Sequence, residues 1–450
     1  MRELLVLEWR RLVRERITWV LLGFLTCACI LAVGQGRSVL EKQIEARNAA
    51  SEGHPAAHER VVGVLKDDAD PALAVLAPYW VRSSAVSSVP PLADFSAGRG
   101  PFEPHSTAMS LRSRADTLFD RTATDNPELA MRGTLDLSFV VIVLLPLVLI
   151  GFGYNLFTDD RETGLARLVL TEAGSPFRLL AVRSAPRLVV AILPILASIA
   201  VLVATGPEID GRPSAARWWI ITALGLTLFW WSFILFVNSF KISSETAALV
   251  LVSVWALFTL ILPAVISAIA QISYPPPSRL EQIVAARAVQ VNSTKTYEND
   301  HPEAVSDDFE GRLASIRKTL SVSREVDQAL LPIADRFDVQ LAGQQRLLQS
   351  LIWLSPSMLS ADAFASIAGT DPVRSTEFRH AARRYLKKLK AELGGIIDRG
   401  EIMSRQQYEE LPRFDWQPKA SHPIRAVVWL VLSIALLLSL SFLRLRRITV

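Results

Sequence analysis

Titratable side chains are missing where they would matter most. The chain holds six stretches of roughly 20 apolar residues, long enough to cross hydrocarbon. None carries an Asp, Glu, Lys, Arg or His at its centre. Ion-coupled carriers, proton pumps and intramembrane enzymes need ionisable groups at that depth. Work done by these helices therefore needs energy from elsewhere, and a separate motor beside the membrane is the expected source. Cysteine is nearly absent too. Cys27 and Cys29, the only two, both lie in the first apolar stretch. Two apart on a helix, they point to different faces and should not bridge, so neither a disulfide scaffold nor a cysteine zinc site is expected. The formal charge of +4 over 450 residues does not suggest nucleic acid as a partner.

Catalytic signatures are also lacking. The sequence has no G-x-x-x-x-G-K-[ST] to cradle nucleotide phosphates, no H-E-x-x-H and no G-x-S-x-G. His54 and His58 are four apart, but Pro55 and the polar context favour exposed histidines over metal ligands. Asp67, Asp68 and Asp70 match a calcium loop only in charge. Asn292-Ser293-Thr294 is a formal glycosylation site, but a bacterial origin is expected and the site carries no weight. No catalytic, metal or cofactor site is expected on this chain.

Apolar sequence is what the chain does have. Half its residues are hydrophobic and the mean hydropathy is +0.30, which argues against one soluble domain. The expected fold is an all-α polytopic membrane protein. Its six transmembrane helices fall at 17–34, 137–157, 188–205, 218–237, 247–272 and 426–443. Two long segments, 35–136 and 273–425, should build a mainly helical extracytoplasmic domain. Basic residues favour the cytoplasmic side of short loops. Arg2, Arg10, Arg11, Arg14 and Arg16 precede the first span. Arg161, Arg167, Arg178, Arg183 and Arg187 follow the second, Lys241 follows the fourth, and Arg444, Arg446 and Arg447 follow the last. One topology places them all inside with both termini cytoplasmic. Arg212 and Arg217, between spans three and four, are the exception. Ala32 and Gly34 have the look of a cleavage site, but the long leader with Glu3, Glu8 and Glu15 favours a retained span.

Residues 1–16 should form an amphipathic interfacial helix, with Leu5, Trp9, Leu12 and Val13 on one side. Pro146, Pro194 and Pro263 fall inside spans and should bend them. Trp218 and Trp219 read as an aromatic belt, and Trp230 and Trp231, deeper in the span, as lipid-facing or packing residues. In the first long segment, helix is expected from Ser38 to about Asn48 and again from Ala115 into span two. In the second, Tyr274-Pro275-Pro276-Pro277 should end span five, and Ser278 with Glu281 should form a capping box. A later helix should start at Asp371-Pro372 and stop at Gly394-Gly395. Its basic residues Arg383, Arg384, Lys387, Lys388 and Lys390 read as a solvated face.

The segment 158–187 has its own pattern. Asp159-Asp160-Arg161-Glu162 opens a short helix whose dipole favours acids there. Gly174 can close it, and Ser175-Pro176 reads as a cap followed by proline at the first helical position. From Phe177 a second helix should run past Arg183 into span three. This order of acid, Arg, Glu, Gly, apolar helix, Ser-Pro and basic helix resembles the coupling segment of type-2 ABC exporter permeases. The N-terminal helix is similar to that family's elbow helix. Leu354-Ser355-Pro356-Ser357, Ala368-Gly369-Thr370-Asp371 with Phe378 and Tyr385, and the stretch from Pro91 to Gly100 resemble a bacterial branch with enlarged periplasmic loops. Leu165 stands where the family often has Thr, and Val182-Arg183 where it often has Gly-Lys.

The resemblance implies a permease subunit of the bacterial inner membrane. It would couple ATP hydrolysis on a separate ATPase subunit, which holds ATP and Mg, to substrate translocation, beside a second permease of the same or related sequence. Asp160, Arg161, Glu162, Gly164, Ser175 and Pro176 are the coupling residues it implies. The alternative is a non-transporting scaffold or mechanotransmission subunit whose periplasmic domain recruits partners.

Overall fold

The computed structural model describes residues 2–66, 70–98, 100, 103–119, 135–158, 162, 176–275, 278–306, 308–418 and 421–446. Helix α1 (Arg2–Arg14) ends at Glu15, whose extended backbone turns the chain into α2 (Arg16–Ser51). At 36 residues α2 is about 54 Å long, far more than a bilayer core needs. The apolar helix at its start and the polar helix expected from Ser38 are therefore one unbroken rod. Short helices α3 (Pro55–Val64) and α4 (Pro71–Trp80) follow. Strands β1 (Ser83–Val86) and β2 (Ser106–Met109) then form an antiparallel ribbon with Ser83 opposite Met109. This ribbon is a small addition to an otherwise helical chain.

Next come α5 (Leu137–Gly153), α6 (Pro176–Thr205), α7 (Arg212–Asn238) and α8 (Ser244–Ser273). After them run α9 (Arg279–Asp300), α10 (Phe309–Leu351), α11 (Pro356–Ala368), α12 (Pro372–Arg399), α13 (Arg405–Glu409) and α14 (Ile424–Arg446). Five of these, α2, α6, α7, α8 and α14, are long and apolar enough to cross a membrane. The protein is a helical membrane protein. The sixth expected span corresponds to α5, which is shorter than the others.

Helix α5 is the centre of the bundle. Its Leu137, Val140, Val141, Leu145, Val148 and Leu149 are buried among Leu25, Cys29 and Ala32 of α2, Ala191 and Ile195 of α6, and Leu226, Trp230 and Ile234 of α7. Of the two expected roles for Trp230 and Trp231, lipid-facing or packing, both rings take the second and are buried. Outward-facing Val20, Leu193, Leu249, Leu432 and Leu436 remain exposed, as lipid-facing side chains would be.

Two of the three expected prolines coincide with widened turns. Val140–Leu144 and Leu257–Ile261 are π-helical, and Pro146 and Pro263 each stand two residues beyond the last residue of the turn. A proline has no N–H for a carbonyl one turn back, and the wide turn absorbs the mismatch. Pro194 lies in α6 without such a turn.

The two long intervening segments share a second core. Val75, Leu76 and Ala77 of α4, Ala85 of β1 and Met109 of β2 meet Leu320 of α10 and Phe378, Leu386, Leu389 and Leu393 of α12. Tyr408, Leu411, Phe414 and Trp416 close over it. Helices α9 and α10 form a hairpin sealed by Ala286, Val322, Val326 and Leu330.

Several local expectations need correction. Residues 115–119 are turns rather than the start of a helix. Ser278 caps α9 by accepting from the Leu280 N–H, while Glu281 pairs with Arg336, so no capping box forms there. Helix α12 passes through Gly394 and Gly395 and stops at Gly400, whose φ of 68° is left-handed. Packing on the domain core outweighs the weak helix propensity of two glycines, and a Cβ on Gly394 would meet the Arg324 guanidinium at 2.8 Å. On that helix Arg384, Lys387 and Lys388 are exposed, whereas Lys390 reaches Asp327 at 3.1 Å. Trp219 is fully buried rather than part of a belt.

Candidate functional site

The spans are tied at both ends, and each tie is a candidate site. One lies where the bundle meets the domain. Gly211, left-handed at φ 79°, turns the chain so that Arg212 begins α7. The Arg212 guanidinium meets the Asp94 carboxylate in a two-pronged pair, at 3.0 Å and 2.7 Å. It also donates to the Pro91 and Leu202 carbonyls, at 2.8 Å and 2.9 Å. Asp94 is 1% exposed and Arg212 6%. A buried pair is tolerable when its hydrogen-bonding capacity is filled in this way.

Further along α7, the Trp219 indole donates to Ser96 Oγ at 3.0 Å. Its ring packs between Phe95 and Phe364, with centroids 5.4 Å and 4.7 Å away. Thr370 Oγ1 donates to the Ser96 carbonyl at 2.9 Å. Gly36 lets α2 press against this loop, since a Cβ there would lie 2.0 Å from the Asp94 carbonyl oxygen. Gly98, left-handed at φ 51°, donates its N–H to Asp136. Burial pushes the Asp136 carboxyl above its usual range, opposed by bonds from Ser138, Phe139, Gly98 and Ala97.

The 355–371 stretch is shaped for this junction. Ser355 caps α11 by accepting the Met358 N–H, and its hydroxyl donates to the Phe258 carbonyl at 2.6 Å. Pro263 lies five residues after Phe258, where a wide turn would otherwise supply an N–H, so Ser355 satisfies an acceptor the proline leaves open. Gly369 closes α11 in the left-handed conformation, and Asp371 caps α12 through the Val373 and Arg374 N–H groups. Arg374 donates to the carbonyl and hydroxyl of Ser88, and burial pulls its pKa down to about 10 against the opposing charge of Asp371. His105 lies nearby, donating through Nε2 to the Gly100 carbonyl at 2.8 Å. Burial first, and then the Arg374 charge, hold it below its ordinary range despite that bond.

The second tie lies at the opposite end of the spans, where α1 docks. Glu8 of α1 pairs with Arg183 at 3.1 Å and Arg187 at 3.3 Å, both on α6. Arg183 also donates to the Leu156 carbonyl, and Arg187 to the Arg183 carbonyl. Leu12 is buried, while Leu5, Trp9 and Val13 of the same helix stay exposed. Asn238, at the end of α7, donates to the Gly153 and Ile234 carbonyls and accepts the Phe157 N–H. Arg444 of α14 stacks on Phe240 at 3.7 Å.

Of the expected coupling residues, Asp160, Arg161, Gly164 and Ser175 lie outside the described residues. Pro176 begins α6, which runs unbroken past Arg183. Glu162 is exposed, and its carboxylate accepts from the Ser244 N–H at 2.7 Å and the Ser244 hydroxyl at 3.3 Å. That places an anion at the positive end of α8, whose own cap is Ser243. Sequence reasoning missed the Asp94–Arg212 and Glu8–Arg183–Arg187 clusters. Their partners are more than 100 residues apart, and no spacing signal links them. The one available hint was the Arg212 charge on the side where arginine was not expected.

His54 and His58 do not converge on a metal. His54 Nε2 meets Ser84 Oγ, and His58 Nδ1 meets the Tyr408 hydroxyl. No cluster of three metal-ligating side chains occurs among the described residues.

A family described as a domain of unknown function, DUF3526, matches residues 287–417. The match runs from within α9 to just past α13 and includes both Ser355 and Thr370. No curated protein and no solved structure matches the chain.

Proposed function

We propose that this chain is the membrane-spanning permease subunit of an ATP-binding-cassette transporter of the bacterial inner membrane, with six spans and both termini cytoplasmic. ATP and Mg act on a separate ATPase subunit, and a second permease of the same or related sequence completes the pair. The observation that carries the reading is where charge sits in the bundle. The buried ion pairs that hold the apolar helices sit at helix ends, where Arg183 and Arg187 of α6 meet Glu8 of α1 on one side and Arg212 of α7 meets Asp94 of the loop on the other. Among the described residues, nothing at membrane depth can store or pass a proton or cation. Force must enter from an end.

The α1 end is the natural entry. Glu162 ties the start of the coupling segment to the head of α8, and α6 carries its far side directly into a span. A push on residues 159–175 therefore reaches two spans at once. The domain at the other end, with its own apolar core, supports the second reading, a subunit that transmits force to an external partner.

Co-purification with the ATPase subunit tests the proposal. Reversing both charges, R161E with E162R, should reduce the bound ATPase several-fold while the permease stays folded. Unchanged ATPase recovery would count against it. ATP hydrolysis stimulated by a transported substrate favours transport over force transmission.

A further inference from the structure

The β-ribbon opens onto a cavity that coupling to a motor does not use. His54, Arg82, Ser106, Ser110, Arg112 and Ser113 are among its lining residues, and its volume is about 850 Å³. The register explains why two cations converge there. Ser83 pairs with Met109, so Arg82, one residue before β1, and Arg112, three residues beyond β2, flank the same end of the ribbon. Burial and then the Arg112 charge both pull Arg82 below its ordinary range. Arg112 leans on the Tyr79 ring at 5.2 Å.

Arg114 lines the same cavity but is already neutralised. It holds Asp116 through two bonds and Gln290 through a third. Neither Arg82 nor Arg112 has a carboxylate partner among the described residues. His54 Nε2 faces the Ser84 hydroxyl and no acid. Two like charges held together in a concavity repel each other, and the walls offer hydroxyl donors beside them. An anion with several oxygens relieves that repulsion and uses the guanidinium forks.

We propose that the Arg82–Arg112 cavity is a binding site for a phosphate or carboxylate group carried by a small anionic molecule. The inference is independent of the permease reading, since it concerns only the domain and needs no motor. Calorimetric titration of the full-length purified chain with inorganic phosphate and with citrate, at fixed ionic strength, tests it. Saturable binding is expected, weakened at least tenfold in R82Q and further in R82Q/R112Q. K387Q/K388Q, which removes two exposed charges from α12, should bind as wild type. A thermal melt of each variant ensures that the comparison is made on a folded R82Q chain.

Repeating the titration in bilayer discs identifies the source. Competition from phosphatidylglycerol, with none from phosphatidylcholine, assigns the site to a lipid headgroup; equal binding in both assigns it to a soluble anion. Absence of saturable binding to the wild type, or equal binding by wild type and a folded R82Q, would overturn the proposal.

Discussion

The two ends of the bundle handle charge differently. Where the domain meets the spans, Arg212 is matched one-to-one by Asp94, and the pair is enclosed. At the α1 end, one carboxylate, that of Glu8, pairs with both Arg183 and Arg187. Counting arginines along the chain treats both ends alike, which is why Arg212 looked like an exception to the orientation rule. Its charge is cancelled by a residue 118 positions earlier.

The ends also differ in what it costs to disturb them. The Asp94–Arg212 pair cannot open without leaving a charge stranded in an apolar setting. The Glu162–Ser244 contact is exposed and can exchange for water at little cost. Rearrangement is therefore cheaper at the Glu162–Ser244 contact than at the Asp94–Arg212 pair. This asymmetry suits a lever that is pushed at one end and anchored at the other.

The largest expected effect breaks the anchor. R212M should destabilise the folded chain by about 3–5 kcal/mol, because Asp94 is left buried and unpaired. Denaturant unfolding in detergent measures it, and the D94L/R212M double variant should recover most of the loss. A cost under ~1 kcal/mol for R212M would erase the difference between the ends.

E8Q comes next, at about 1.5–3 kcal/mol, the usual worth of hydrogen bonds to charged groups. It should fall short of R212M because Arg183 and Arg187 keep the Leu156 and Arg183 carbonyls as acceptors. G36A should cost about 1–3 kcal/mol through overpacking, since its methyl meets the Asp94 backbone. The same unfolding assay ranks all three. E162Q should change stability by less than ~1 kcal/mol, as an exposed contact does, while weakening the binding of the proposed ATPase subunit.

The smallest effect concerns pH. His54 and His105 are both held below their ordinary range, chiefly by burial. Each therefore takes up a proton more readily when unfolded than in the fold. Their contribution is complete above about pH 6.5 and is lost as pH falls below it. Melting curves between neutral and mildly acid pH should show the decline, and H105Q should flatten it.

Much of the helical plan was readable from local pattern. Apolar runs near the spanning length located α2, α6, α7, α8 and α14, and Asp371-Pro372 marked a helix start by capping chemistry alone. Helix ends were less legible. Gly394 and Gly395 suggested a stop, yet Gly400 provides it, because buried Leu393, Ile396 and Ile397 hold the helix together through the glycines. The fusion of the first span with the helix after it was hidden as well. Polar residues such as Gln35 and Arg37 do not break a helix; they only end its apolar stretch.

The junction was the least visible part. Pro91 to Gly100 and Ala368 to Asp371 each stood out as motifs, but nothing in one-dimensional spacing brings Thr370 to the Ser96 carbonyl or Trp219 to the Ser96 hydroxyl. Trp219 looked like an interface aromatic because that is where a tryptophan at a span end usually sits. A specific acceptor and two stacking rings gave it a buried place instead.

If the proposed ATPase subunit drives the spans, distances measured across both ends of the purified complex with it test the lever most directly. Spin labels at Arg178 and Lys241 report the α1 end, and labels at Glu41 and Glu208 report the domain end, in a chain with Cys27 and Cys29 replaced. Trapping with ATP and vanadate should shift the first distance by roughly 5 Å, the scale of one helical turn sliding past another, and leave the second unchanged. A first distance that ignores nucleotide, or a shift confined to the second, would contradict the account.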